Sequence, residues 1–425
     1  MRLLKLLEIN ESEVPRYNSR KSGHGMRRSF RRWLQGASVR REAIIVISII
    51  YLLSFNAMAQ DVVSLTKLQS DPANREFSGA GAHSEEAQGL AIGPVWIYYS
   101  NVRSLYKMNR WMTTASRKVR VDHLPFGSET CHHVGGLDVY DDELYVALDN
   151  CSDKLARIAV FDLDLDLVRH ARIHSLANSF PWVSVNPLDS ELFYTSSSDA
   201  HSRSLFGFPR QFETDSDLRV IKAIHFSDRP SDVLDKVWRQ GADFAPNGML
   251  VRVVDDAEDE DSLHTGLWIY ELDKPIVDGS QAKRVGFFNI QYNPDIGSKR
   301  SDELEDVDIG SIGNPGIDRF ASDLHLIYLS NEPADEDDVT IMHFSANDFD
   351  SDGINDFLDN CFREANSSQT DRDNDGYGGV CDPDGELHVG GFHSDTLPVA
   401  TPPPSPAENP DIPASPDGEL LQPDN

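Results

Sequence analysis

Residues 88–344 repeat one pattern of short strands and turns, with no long segment of helical periodicity. Each repeat begins with a short apolar strand, turns through Asp, Asn, Gly and Pro, and returns as a strand rich in aromatic and β-branched residues. A more polar hairpin then follows. The repeats begin near Gly89, Gly136, Trp182, Gly241 and Glu305, at intervals of 47, 46, 59 and 64 residues.

Repeats of about 40–50 residues with four strands each are typical of a β-propeller. One blade cannot bury both apolar faces alone, so neighbouring blades stack around an axis. The sequence therefore predicts an all-β fold, with a propeller of five to six blades over residues 60–345. Residues 61–69 either close the last blade or belong to a degenerate sixth. A two-sheet β-sandwich is the alternative, although about 260 residues is large for one sandwich.

The repeats carry no motif specific to one propeller family. Propellers include both binding proteins and enzymes, so the architecture does not decide between these two classes.

Acidic residues of the C-terminal part follow the spacing of a twelve-residue calcium loop. The first copy begins at Asp348, and Gly353 permits its sharp turn. The second copy begins 23 residues later, at Asp371. The alternative is an acidic, disordered linker. Including a backbone carbonyl at each seventh position, the expected Ca²⁺ ligands are Asp348, Asp350, Asp352, Ile354, Asp356, Asp359, Asp371, Asp373, Asp375, Tyr377, Asp382 and Asp384.

This segment resembles a thrombospondin type 3 repeat. The residues that carry the resemblance are Asn360-Cys361, Asn366, Gln369 and Cys381-Asp382, between and after the two acidic loops. The resemblance implies a chain wrapped around Ca²⁺ with little regular structure, and a disulfide between its two cysteines. Phe362 replaces the usual Pro, and Gly379 replaces an expected Asp. We therefore expect the second loop to bind more weakly.

The N-terminal 59 residues are typical of an export signal. A basic region precedes a thirteen-residue apolar run at 43–55 and an Ala57-x-Ala59 cleavage site, and translation can also begin at Met26. An uncleaved anchor is the alternative, but the run is short for a stable span, which takes about 20 residues. We expect a protein that is secreted, displayed on the cell surface or periplasmic.

The charge of the exported part excludes one class of partner. The whole chain has a net charge of −31, and residues 60–425 alone carry −38. Such an acidic surface does not attract nucleic acid or anionic lipid. Calcium ions and an extracellular protein or glycan are the partners that we expect.

The chain has four cysteines, in two couples that are each 20 residues apart. Four cysteines allow three connectivities. Because exported cysteines normally pair, we expect the local bonds Cys131–Cys151 and Cys361–Cys381. Each bond would stabilise the fold by about 3 kcal/mol in the chain-entropy treatment.

One local cluster is a candidate for catalysis in the central channel: Glu129, His132, His133 and Asp138. Adjacent residues of a strand face opposite sides, so only one of the two histidines can point into the channel. A His–carboxylate pair there would bind a metal or transfer a proton. The alternative is one packed and one solvated histidine beside the Cys131 disulfide.

The organisation expected from the sequence is therefore a signal (1–59), a propeller (60–345), a calcium-binding repeat (346–386) and a Pro-rich disordered tail (387–425). The first functional hypothesis is a calcium-binding protein of adhesion or extracellular interaction. The second is a secreted hydrolase or lyase that uses the central channel.

Overall fold

The computed structural model of the chain describes residues 63–70, 87–109, 115–124, 126, 130–173, 180–196, 204–227, 240–255, 265–290, 303–310, 323–330 and 338–383. The predicted signal (1–59), Glu129, Asp384 and the predicted tail (387–425) lie outside these ranges. None of the helices within them is long and apolar enough to cross a membrane.

Regular structure in the described part of the chain consists of strands and two short 3-10 helices, Val121–His123 and Pro187–Asp189. The strands are, in chain order, β1 (Leu65–Ser70), β2 (Ala87–Ile92), β3 (Ile97–Asn101), β4 (Ser104–Met108), β5 (Ala115–Arg120), β6 (Cys131–Tyr140), β7 (Glu143–Cys151), β8 (Ala156–Asp162), β9 (Leu167–Ile173), β10 (Ser184–Val185), β11 (Leu192–Thr195), β12 (Ser204–Pro209), β13 (Ser216–Leu218), β14 (Lys222–Phe226), β15 (Ala242–Phe244), β16 (Leu250–Val254), β17 (Gly266–Leu272), β18 (Gln281–Asn289), β19 (Glu303–Asp308), β20 (Leu324–Ser330) and β21 (Asp338–Ala346).

These strands form five antiparallel four-stranded blades. Their strands, from the inner to the outer edge, are β2-β3-β4-β5, β6-β7-β8-β9, β10-β11-β12-β14, β15-β16-β17-β18 and β19-β20-β21-β1. Two parallel pairings link the outer edges, because β13 lies beside β9 and β14 lies beside β18. Each blade begins at the repeat start that the sequence predicts.

The inner strands close into a ring. β2, β6, β10, β15 and β19 each contact the next in that order, and β19 contacts β2. A two-sheet sandwich has no such ring, so the fold is a five-bladed β-propeller and the sandwich alternative is excluded.

The N-terminal strand β1 closes the last blade rather than starting a sixth. It pairs antiparallel with β21, with Leu65 opposite Ala346. The fifth blade therefore combines strands from both ends of the propeller, so its closure depends on contacts between residues about 280 positions apart.

The core consists of five apolar clusters, each lying between two neighbouring blades. Inner strands approach closely enough that glycine is required between them. A Cβ on Gly135 would lie 2.2 Å from the carbonyl oxygen of Pro181, on the next blade. The predicted Cys131–Cys151 disulfide is present and joins directly opposed residues of β6 and β7.

Candidate metal centre

The segment after β21 contains no helix or strand among its described residues, 347–383, yet it packs on the propeller. Phe357 and Phe362 are buried in the apolar cluster between the fourth and fifth blades, together with Met249. Asn247 Nδ2 donates to the carbonyl oxygens of Asp356, at 2.7 Å, and Asp359, at 2.8 Å. These contacts therefore hold the segment that carries the acidic loops against the propeller.

The first loop gathers three carboxylates. Ligand oxygens of Asp348, Asp350 and Asp352 lie within 4.8 Å of one another, close enough to share one metal ion. The two oxygens of Asp348 accept hydrogen bonds from the backbone N–H groups of Ser351 and Gly353, at 2.7 and 2.9 Å. Gly353 has φ +97°, a conformation that favours glycine.

The second loop has the same internal geometry. The two oxygens of Asp371 accept from the N–H groups of Asn374 and Gly376, at 2.8 and 2.9 Å. Gly376 has φ +93°, and ligand oxygens of Asp371, Asp373 and Asp375 lie within 4.8 Å of one another. The repeated register that the sequence indicates is therefore a repeated structure.

Two further predicted ligands near the end of the first loop, Asp356 and Asp359, are buried, and each is only 1% exposed. Asp356 Oδ1 accepts from Phe349 N at 2.9 Å. Asp356 Oδ2 and Asp350 Oδ2 are buried oxygens that accept no hydrogen bond from any described residue. A buried carboxylate oxygen without a donor is costly unless a cation compensates it. This loop therefore has the donors of a cation site.

The electrostatics of the first loop agree with this geometry. The pKa of Asp356 is raised to about 7, first by burial and then by the charges of the neighbouring Asp359 and Asp348. Partial burial and the charge of Asp359 raise the pKa of Asp350 above its ordinary value. Each carboxylate makes its neighbours harder to ionise, and a bound cation would reverse that effect.

A lysine lies beside the second loop. Lys274 Nζ donates to the carbonyl oxygen of Gly376 at 2.5 Å and lies 4.8 Å from the centre of the Tyr377 ring. Burial lowers the pKa of Lys274. This ammonium group already provides positive charge near Asp375, and position 379 has no carboxylate. Both features make the second loop the weaker candidate for a metal ion.

A disulfide and several hydrogen bonds connect the residues between the loops to the loops themselves. The Cys361–Cys381 disulfide is present, as expected, with its Cα atoms 5.6 Å apart. Gln369 accepts from Asn360 N and donates to Asp359 Oδ1, both at 2.8 Å. The backbone N–H of Asn366 donates to Asp352 Oδ2 at 2.7 Å. Asn360, Asn366 and Gln369, which carry the sequence resemblance, thus orient carboxylates of the first loop.

The remaining predicted ligands contribute in different ways. The N–H groups of Ile354 and Tyr377 donate to Asp352 and Asp375, at 2.9 and 2.8 Å, so each residue is hydrogen-bonded to a carboxylate of its own loop. Asp382 N donates to the carbonyl oxygen of Gly378, in the second loop, at 3.0 Å. After burial, the charges of Asp373 and Asp382 raise the pKa of Asp375.

The catalytic candidates are not gathered at one place. His132 is exposed, with Nε2 3.3 Å from Thr130 Oγ1. His133 Nδ1 lies 2.8 Å from Asp149 Oδ1 on the adjacent strand β7. Asp138 is buried five residues further along β6, about 16 Å away on an extended strand.

Asp138 belongs instead to a group of buried carboxylates on the inner strands that sequence reasoning missed, with Asp243, Asp306 and Asp308. Burial raises the pKa of Asp243 to about 6 and raises the pKa values of the other three. The sequence signal is an acidic or hydroxyl residue at the third position of four repeat starts, in Gly-Leu-Asp, Trp-Val-Ser, Gly-Ala-Asp and Asp-Val-Asp.

No protein-family model and no curated protein matches the chain. Among solved structures, it is similar to a gluconolactonase from Xanthomonas campestris, with 11% identity, 66% of this chain and 95% of that chain covered, and a TM-score of 0.35. It is also similar to KlHsv2 with loop 6CD replaced by a Gly-Ser linker, with 12% identity, coverage of 62% and 72%, and a TM-score of 0.30. At such low TM-scores, the propeller assignment rests on the strand pairing of this chain.

Proposed function

We propose that this is an exported calcium-binding protein, in which a thrombospondin type 3-like repeat stabilises a β-propeller that mediates adhesion or another extracellular interaction. The observation that carries the proposal is the pair of buried, unpartnered oxygens on Asp350 and Asp356, beside a triplet of close carboxylates. The two disulfides support an oxidising location outside the cytosol.

Calcium suits the first loop better than other common ions. The donors are all oxygens, which hard cations prefer, and Ca²⁺ takes six to eight of them in an adaptable geometry. The candidates in this loop are the carboxylates at positions 348, 350, 352, 356 and 359 and the carbonyl oxygen of Ile354. The weaker site would use positions 371, 373, 375 and 382, the carbonyl oxygen of Tyr377, and Asp384.

Calcium would act on the propeller by mass action, because the unfolded chain lacks the assembled loop. The loop is joined to the closing strand through Asn347. Asn347 N donates to the carbonyl oxygen of Ser64 at 3.1 Å, and Asn347 Nδ2 donates to Ser64 Oγ at 2.5 Å. Asp356 N in turn donates to the carbonyl oxygen of Asn347 at 2.8 Å. Ordering the loop therefore stabilises β1 on the fifth blade.

The proposal is tested with the isosteric double variant Asp350→Asn/Asp356→Asn in the full chain. Calorimetric titration with CaCl₂ should show loss of the tighter site. Limited proteolysis should no longer show protection of residues 345–383 by Ca²⁺. The matched control is Asp142→Asn, which removes one charge from an exposed turn. A wild-type protein that takes up no Ca²⁺, or a variant with unchanged uptake, contradicts the proposal.

A further inference from the structure

One position on each inner strand lies at the same level of the propeller axis. Hydrogen bonds between neighbouring blades fix this level: Ile92 N donates to Asp308 Oδ1 at 3.1 Å, Val185 N to Asp138 Oδ2 at 2.7 Å, and Ser184 Oγ to Asp243 Oδ1 at 2.6 Å. Ile309 N donates to Asp243 Oδ2 at 2.7 Å. Each backbone donor is the residue that follows an inner-strand position of this level, so the five positions, which we call the axial ring, are Ala91, Asp138, Ser184, Asp243 and Asp308.

Three of the five side chains in the axial ring are carboxylates, and all three are buried. Asp138, Asp243 and Asp308 are 7%, 6% and 4% exposed. Their hydrogen-bond donors are backbone N–H groups and the Ser184 hydroxyl. The largest charge effects on Asp138 and Asp308 come from neighbouring carboxylates, and each of them raises the pKa. Fixed dipoles alone compensate three buried negative charges only partly.

One oxygen in the axial ring has no donor. Asp308 Oδ1 accepts from Ile92, but Asp308 Oδ2 is buried and accepts no hydrogen bond from any described residue. After burial, the charges of Asp243 and Asp138 raise the pKa of Asp308 most, so the three carboxyl groups interact with one another. Two residues earlier on β19, Asp306 Oδ1 is also buried without a donor. An unsatisfied anionic oxygen in a ring of carboxylates is the environment of a cation ligand.

We propose that the axial ring holds one hydrated divalent cation, of the Mg²⁺ or Ca²⁺ class, with Asp308 Oδ2 as a direct ligand. Oxygen donors alone select a hard cation. Among the described residues, only the two C-terminal loops bring three carboxylates within 4.8 Å. The ring carboxylates are more widely spaced, so the ion reaches Asp138 and Asp243 through bound water. Retained water is usual for Mg²⁺ and is also found with Ca²⁺.

Such an ion would stabilise the propeller at its centre. The carboxylates of the ring come from the second, fourth and fifth blades, and their hydrogen bonds reach the first and third. The cation would thus join all five blades where the apolar clusters, which lie between pairs of blades, do not. This site is separate from the C-terminal loops and does not depend on their binding calcium.

The test uses the full chain with both loops disabled, as Asp350→Asn/Asp356→Asn/Asp373→Asn/Asp375→Asn. Calorimetric titration with CaCl₂, and separately with MgCl₂, should show one remaining equivalent of bound cation per chain. Adding Asp308→Asn should abolish this equivalent, whereas adding Asp142→Asn should leave it unchanged. Substitution by Asn keeps the shape of the side chain, so the variants are expected to fold.

If the fourfold variant does not fold, metal content gives the same answer. After dialysis against excess cation, Asp308→Asn alone should hold one ion fewer per chain than the wild type. Two results overturn the proposal: no binding by the loop-disabled chain, or an ion count that Asp308→Asn leaves unchanged. Either result would mean that Asp308 does not bind a cation in the axial ring.

Discussion

The propeller and the C-terminal segment are stabilised by different interactions. The propeller has five apolar clusters between its blades, and hydrogen-bonded strands surround them. The segment contributes only two buried aromatic residues, Phe357 and Phe362, to one of those clusters. Within the segment itself, carboxylates accept hydrogen bonds from backbone N–H groups, and Asn360 N donates to Gln369. One disulfide adds a covalent link.

This difference indicates how each region responds to its surroundings. Apolar burial between blades does not depend on calcium or chelator, whereas repulsion between close carboxylates does. Residues 346–383 have too few apolar side chains to form a core of their own. Their buried aromatic residues pack instead into the apolar cluster between the fourth and fifth blades. We therefore expect the segment to unfold with the propeller when docked, and to be the metal-sensitive part of the fold.

The largest effect is expected from Phe357→Ala, which removes the apolar anchor of the segment. Phe357 is 1% exposed in the cluster between the fourth and fifth blades. Truncation of a buried Phe costs about 3–5 kcal/mol. Urea denaturation followed by tryptophan fluorescence should therefore show a lower free energy of unfolding for the propeller.

The matched control is Phe349→Ala, because Phe349 lies in the same loop but is 52% exposed. It should change the free energy of unfolding by no more than about 0.5 kcal/mol. If Phe357→Ala leaves the propeller transition unchanged, the two regions are not coupled, and calcium cannot stabilise the propeller through this segment.

The two disulfides allow a direct comparison of the two regions. Removal of either bond, by Cys131→Ser/Cys151→Ser or Cys361→Ser/Cys381→Ser, should cost about 3 kcal/mol. The second pair should also raise the Ca²⁺ concentration that protects the segment from proteolysis, because its bond joins the two loops. The first pair should lower the melting temperature without changing that concentration. Equal shifts in calcium dependence for both pairs would contradict the division into two regions.

Much of the fold could be predicted from the sequence because its signals are local. Each blade starts with its own apolar strand and turn, so five starts were recognisable, and the closing role of residues 61–69 was one of two alternatives. The loop register could be predicted for the same reason, since the three close carboxylates of each loop lie within five consecutive residues. Both disulfides join cysteines only 20 residues apart.

The rest depends on contacts between distant residues. Asn247 supports carbonyl oxygens more than 100 positions away, and nothing in its own surroundings indicates that partner. The axial ring combines residues of all five repeats that meet only when the propeller closes. The catalytic hypothesis grouped His133 with Asp138 because they are near in sequence, but an extended strand carries such neighbours apart.

A smaller effect is expected from Asn247→Ala, which removes two donors beneath the first loop. The carbonyl oxygens of Asp356 and Asp359 would remain buried without these partners, at a cost of about 1–3 kcal/mol. Because the loop is then less well formed, calorimetry should show calcium affinity reduced by about tenfold, which corresponds to 1.4 kcal/mol.

The control for that variant is Asn289→Ala on the same blade, where Asn289 Nδ2 donates to the carbonyl oxygen of Thr265 at 3.2 Å. This variant also removes a hydrogen bond from a side-chain amide to a backbone carbonyl oxygen, but it should leave calcium affinity unchanged. If both variants bind Ca²⁺ as tightly as the wild type does, the two hydrogen bonds from Asn247 do not organise the loop.

The last effect is a dependence of stability on pH in chelator. Burial raises the pKa of Asp356 to about 7 and that of Asp243 to about 6, so the folded protein retains protons that the unfolded chain has released. The stabilising contribution of these protons is fully present below about pH 4 and is lost as pH rises through 6 and 7. The melting temperature in chelator should therefore fall between pH 5 and pH 8.

The variant Asp356→Asn should reduce this fall, whereas the control Asp142→Asn should not. Saturating Ca²⁺ should reduce the fall in the wild type, because the cation compensates the ionised carboxylates of the loop. A wild-type melting temperature that rises over this range would show that neither buried carboxyl controls stability there.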